Sequence, residues 1–118
     1  MKLNIKWHVG VVHFTGATRS REFKFTVYTP IEDVREILQE LVPYGDNRKV
    51  VKIEYRSPSV DKDGKLEFIN RELKNGADLR AMWNTFDSFE KKVSIELDAT
   101  LRRSVDNIMM MLQRPPGR

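Results

Sequence analysis

A chain of 118 residues, 40% hydrophobic and 32% charged, has the size and composition of one globular domain and is too apolar for a disordered chain. It contains no cysteine, which excludes a disulfide framework and a thiolate metal centre and fits a reducing, intracellular compartment. The 21 basic and 17 acidic residues leave a net charge of +4, spread along the chain, which permits an anionic partner without requiring one.

The chain opens on alternation: Leu3, Ile5, Trp7 and Val9 against Asn4, Lys6 and His8. Period two predicts a half-buried strand and argues against a signal peptide. Val11, Val12 and Phe14 continue it, with a bulge expected near Gly10. Thr15–Ser20 is turn chemistry, and Phe23, Phe25 and Val27 alternate with Glu22, Lys24 and Thr26 to complete a hairpin. Thr29-Pro30-Ile31-Glu32 reads as a helix start, with Thr29 as cap and Glu32 closing a capping box. Ile31, Val34, Leu38 and Leu41 follow at helical spacing until Pro43 and Gly45.

Val51, Ile53 and Tyr55 predict a third strand, Ser57–Gly64 a loop, and Leu66 and Phe68 a short fourth strand. Asn75 caps a second helix with the stripe Leu79, Met82, Trp83, Phe86, where Trp83 reads as core and not as a base-stacking platform. Val93, Ile95, Leu97 and Ala99 form a fifth strand. Ser104 caps a last helix carrying Val105, Ile108, Met109 and Leu112, which Pro115-Pro116-Gly117 stops. No apolar run approaches the roughly 18 residues of a membrane span. The order ββαββαβ plus a C-terminal helix predicts an α+β fold, a mixed sheet packed on helices, and is shared by the β-grasp folds. Residues 1–101 form that domain, 102–114 an amphipathic helix packing on it or on a partner, and 115–118 a linker or tail.

Chemistry is sparse. His8 and His13 lie five apart on one strand and point to opposite faces, so they do not chelate one metal. Asp61-Lys62-Asp63-Gly64 has the opening of a calcium loop, but Lys65 stands where an oxygen ligand belongs. There is no phosphate loop and no nucleophile signature. The chain is therefore expected to be no enzyme, with no cofactor, metal or small-molecule substrate.

Charge is more informative. Asp61, Asp63 and Asp78 are expected at one end of the fold, and Lys6, Arg21, Lys24 and Arg56 on a basic face. Such a domain can associate head to tail; the plainer reading is that the aspartates make a turn and a helix cap. Ile108, Met109, Met111 and Leu112 belong to an apolar run wider than one helical stripe, which serves either the core or an interface.

Tyr55, Asp61, Asp63 and Gly64, then Leu66 and Phe68, then Asp78-Leu79-Arg80 opening a helix, resemble the PB1 domain. The resemblance implies a ubiquitin-like β-grasp fold and front-to-back pairing between an acidic motif and a lysine on the first strand, here Lys6 with Lys2 behind it. Lys65 stands where the pattern has an acid, and the gap from Gly64 to Asp78 is longer than the pattern's. The stretches VVKIEYRSPSV, ELKNGADLRAMWNTF and VSIELDATLRRSVDNIMMMLQRP are similar to the PB1-like N-terminal regions of plant Mutator-like transposases. That similarity implies a nuclear, transposase-derived protein whose catalytic parts lie downstream, and a domain for self- or hetero-association. The alternative is a nucleic-acid-binding accessory domain using Arg19, Arg21, Lys24, Arg48, Lys49, Arg102 and Arg103.

Overall fold

The structure is a computed structural model and describes residues 5–89 and 94–103. Seven elements follow one another: β1 (His8–Phe14), β2 (Arg21–Phe25), α1 (Ile31–Glu40), β3 (Lys49–Val60), β4 (Leu66–Glu72), α2 (Gly76–Ser88) and β5 (Ile95–Arg102). They form an α+β fold with one mixed five-stranded sheet in the order β2-β1-β5-β3-β4. β1 and β5 run parallel side by side at its centre, and antiparallel pairings flank them. The expected C-terminal helix, with Ile108, Met109, Met111 and Leu112, lies outside the described residues.

Both helices pack on one face. Ile31, Val34 and Leu38 of α1 and Leu79, Met82, Trp83 and Phe86 of α2 join one buried cluster with Val12, Phe14, Phe23, Phe25, Ile53, Tyr55, Ile95, Leu97, Ala99 and Leu101. The stripe read from α2 is thus its buried face, and Trp83 is core. Its ring tilts on Phe25 at 5.0 Å between centroids and meets Phe86 edge-on at 5.9 Å. Asn75 caps α2 as expected, its side chain accepting from the Asp78 amide at 3.0 Å.

Several local expectations are corrected. In β1 the buried parity is Gly10, Val12 and Phe14, while Ile5, Trp7 and Val9 are exposed. The apolar run at the start of the chain faces away from the core. There is no bulge at Gly10, since β1 pairs in continuous register with β2 and β5; the register shift lies in β3 between Val50 and Lys52. Thr29 does not cap α1. Pro30 occupies the N-cap without a side-chain bond, and the Thr29 hydroxyl accepts from the Thr26 amide at 3.0 Å. β2 ends at Phe25, so Val27 is exposed instead of inward. The expected loop from Ser57 is strand as far as Val60, giving a long β3–β4 hairpin.

That hairpin turns tightly. Asp61 Oδ1 accepts from the amides of Asp63 and Lys65, both at 2.9 Å, and the Asp61 amide donates to the Lys65 carbonyl at 3.0 Å. Gly64 supplies φ +81°, a left-handed conformation that favours glycine.

Candidate interaction surface

Both helices cover one face of the sheet, and among the described residues no element covers the other. Alternation decides what it carries: Val9, Val11 and His13 from β1, Glu22 and Lys24 from β2, Glu96 and Asp98 from β5, Glu54 and Arg56 from β3, and Leu66, Phe68, Asn70 and Glu72 from β4. Strand pairing then gathers charges that are far apart in the chain. Arg56 Nε donates to Asp98 Oδ2 at 2.8 Å and Nη2 to Oδ1 at 2.7 Å, a two-pronged pair. Arg56 also lies 3.7 Å from Glu96, which meets His13 Nε2 at 2.9 Å. The Asn70 amide reaches Asp98 Oδ2 at 3.5 Å. A charge ladder thus crosses four strands, each ionisable member about one-third exposed.

The Arg56 hydrogen bond holds the Asp98 carboxyl below the usual carboxylate range against the opposing effect of burial. A depressed folded value means that this stabilisation is present above the unfolded carboxylate value near 3.9 and is lost as pH falls through the folded value. Arg56→Ala is expected to lower neutral-pH stability by about 1 kcal/mol, because the pair is partly solvent-screened. It is also expected to flatten the acid limb of a stability–pH curve measured by denaturant melts between about pH 2.5 and 7. Unchanged curvature would mean that the pair carries none of the acid sensitivity.

No protein-family model matches the chain, and no curated protein or solved structure is significantly similar to it. The surface itself therefore carries the functional reading. Among the described residues, no three His, Asp or Glu side chains gather to hold a metal, and no helix is long and apolar enough to cross a membrane.

The expected acidic cluster is not brought together. Asp61 and Asp63 sit in the β3–β4 turn, whereas α2 begins beyond the far end of β4. Seven strand residues, about 20 Å, separate that turn from the end of the hairpin near Asp78. The Asp78 carboxylate is occupied locally, accepting from the Lys74 amide at 2.8 Å. Locally, Asp61 builds the turn and Asp78 the helix start. Asp63 is exposed in the turn.

The basic set divides too. Arg56 belongs to the ladder, where its guanidinium pairs with Asp98 and lies 3.7 Å from Glu96. Lys24 lies opposite Val9 on the open face, while Arg21 pairs three positions away with Val12 and donates to the Leu41 carbonyl at 3.5 Å. Lys6 is exposed just ahead of β1. A basic end does form at the opposite side of the sheet from the β3–β4 turn, where Lys49 faces Arg102 across β3 and β5. Arg48 sits beside it but grips Asp46, donating from Nε at 3.0 Å and Nη2 at 2.8 Å and drawing that carboxyl down to about 2.

Sequence reasoning missed two features. One is the ladder, whose partners are 42 and 83 residues apart. The other is the length and exposure of β4: expected as a short strand at Leu66 and Phe68, it runs to Glu72 and is exposed throughout, with Leu66, Phe68 and Ile69 each about half accessible. Behind it, an open groove of about 810 Å³ separates the hairpin from α2, lined by Tyr55, Ser59, Arg71, Met82, Thr85 and Phe89. The Tyr55 hydroxyl is buried there without a hydrogen-bond partner, and burial pushes its ionisation up.

Proposed function

We propose that this chain is a non-enzymatic protein-association domain of β-grasp architecture. The observation that carries the association reading is the sheet face that no element among the described residues covers. That face pairs a fixed charge ladder with exposed Val9, Val60, Leu66 and Phe68, and the sheet ends in a fully exposed edge strand. Exposed apolar surface beside an unpaired strand edge is suited to a protein partner. The β-grasp assignment is supported by an N-terminal hairpin, a crossover helix, and first and last strands parallel at the sheet centre. The resemblance of the Tyr55–Arg80 region to PB1 domains agrees with both. The resemblance of its sequence to the N-terminal regions of plant Mutator-like transposases supports reading the domain as part of a nuclear, transposase-derived protein.

A second reading, binding of nucleic acid, has one specific observation in its favour. Lys49 and Arg102 are like charges directly opposed across a strand pair, an arrangement that an anion would relieve. Light scattering across protein concentration and salt, run beside a DNA titration at about 50 mM salt, separates the two readings. The expected result is self-association, or a monomer that does not bind DNA and awaits another protein. Micromolar DNA binding that weakens steeply with salt, by a protein that stays monomeric, would overturn the association reading. Asp63→Arg is the cleaner probe of front-to-back pairing, since Asp61 also builds the turn.

A further inference from the structure

Among the described residues, β4 is an edge strand with no partner on its outer side. Its inner side is fixed at both ends of the hairpin: the Leu73 amide donates to Ile53 and the Asp61 amide to Lys65. Alternation between those two anchors turns the backbone groups of Glu67, Ile69 and Arg71 toward β3. Those of Leu66, Phe68, Asn70 and Glu72 point outward, and no hydrogen bond among the described residues occupies them.

The sequence of this strand, LEFINRE, is complementary to itself in antiparallel order. With a two-fold axis at Ile69, Leu66 faces Glu72 of the second copy and Phe68 faces Asn70. Every hydrogen-bonded pair then joins two outward-pointing residues, as an antiparallel ladder requires. In the closer, non-hydrogen-bonded pairs, Ile69 meets Ile69 and Glu67 meets Arg71, twice by symmetry. Both side chains are exposed and neither has an ion-pair partner among the described residues. On the open face the two Phe68 rings lie diagonal to one another, within aromatic reach. Shifting the register by two residues sets Glu67 against Ile69, or Ile69 against Arg71, and shortens the ladder.

We infer that β4 is the seam of an antiparallel homodimer centred on Ile69, in which two sheets fuse into one continuous sheet with all helices on the same side. This deepens the association reading by naming the partner as a second copy and the contact as one strand. The seam is isologous, as a two-fold dimer demands. One strand pair lies at the low end of interface size, so the dissociation constant is expected on the order of 10–100 μM.

The test uses charge exchange in the full 118-residue chain, with mass measured by analytical ultracentrifugation up to about 1 mM protein. Glu67→Arg sets like charges against Arg71, and Arg71→Glu sets like charges against Glu67; each is expected to weaken dimerisation about tenfold or more. The equimolar mixture of these two variants is expected to pair again, and so is the double exchange Glu67→Arg/Arg71→Glu. Circular dichroism checks that each variant folds, which the exposure of both positions favours. In the wild-type protein, amide exchange at Leu66, Phe68, Asn70 and Glu72 should slow with concentration, while Glu67, Ile69 and Arg71 are protected throughout. A dimer indifferent to the single reversals overturns the β4 seam and leaves the association reading standing. A monomer at every concentration overturns the homodimer, and association then requires a different protein.

Discussion

Trp83→Ala is expected to remove about 3–5 kcal/mol of stability, the range for truncating a large buried aromatic side chain. A domain of this size has about 5–15 kcal/mol in all, so the variant sits near or below half-folded at moderate temperature. The reason is position. Trp83 lies at the middle of α2, 7% exposed, with Phe25 at 5.0 Å, Phe86 at 5.9 Å and the His8 ring at 5.0 Å. It joins α2 to the β1–β2 hairpin, so truncation leaves a cavity between them. Trp83→Phe should cost far less. It keeps an aromatic face and deletes an indole N–H that is buried without a partner. Denaturant unfolding measures both. In a Trp7→Phe background Trp83 is the sole indole, so its emission should be blue-shifted and indifferent to added single-stranded DNA. Quenching by DNA would place the ring on the surface and restore it as a stacking platform.

The second large effect comes from adding one methyl group. Gly10→Ala is expected to destabilise by about 1–3 kcal/mol. A Cβ built at Gly10 would stand 2.5 Å from Phe23 Cζ and 2.9 Å from its Cε1. Phe23 is buried and leans on Phe25 at 5.0 Å, so the ring has little freedom to retreat. The backbone itself tolerates alanine, since Gly10 has ordinary strand geometry; the obstacle is the ring alone. Combining Gly10→Ala with Phe23→Leu should therefore cost less than the two changes summed, and a double-mutant cycle reads that coupling. Strict additivity would show that the ring is not what excludes the methyl group.

This contact also explains why part of the fold was hidden in the sequence. β1 has apolar residues on both parities, with Ile5, Trp7 and Val9 on one and Val12 and Phe14 on the other. Periodicity alone favours the longer run. The ring of Phe23 under Gly10 and the pairing with β5 select the shorter one, and both are long-range facts. β5 and α2 were legible because each has a single apolar face, Ile95–Leu97–Ala99–Leu101 and Leu79–Met82–Trp83–Phe86. β4 was underestimated because an edge strand buries neither face and so leaves no burial pattern to read. The charge ladder follows from parity once the strand order is known. Glu54, Arg56, Glu96 and Asp98 each alternate with the apolar residues of their strand, but nothing local says that β3 lies beside β5. The proposed acidic cluster failed for the converse reason: sequence proximity to a hairpin hides the length of the strand between its two ends.

The parallel pairing of β1 with β5 has a consequence for how the molecule comes into being. Gly10 contacts Ile95 and Phe14 contacts Ala99, so the two central strands are separated by almost the whole chain. On a ribosome, β1 must wait for β5 to emerge before the sheet can close. Until then the β1–β2 and β3–β4 hairpins are two fragments without a common centre. Folding of such a topology is slow compared with a helical bundle of equal length, because a loop of this size must close before the central contacts are gained. A nascent chain stalled before Ile95 leaves bare the inner flanks of β1 and β3 that β5 later joins, a state in which chaperone engagement would be most needed.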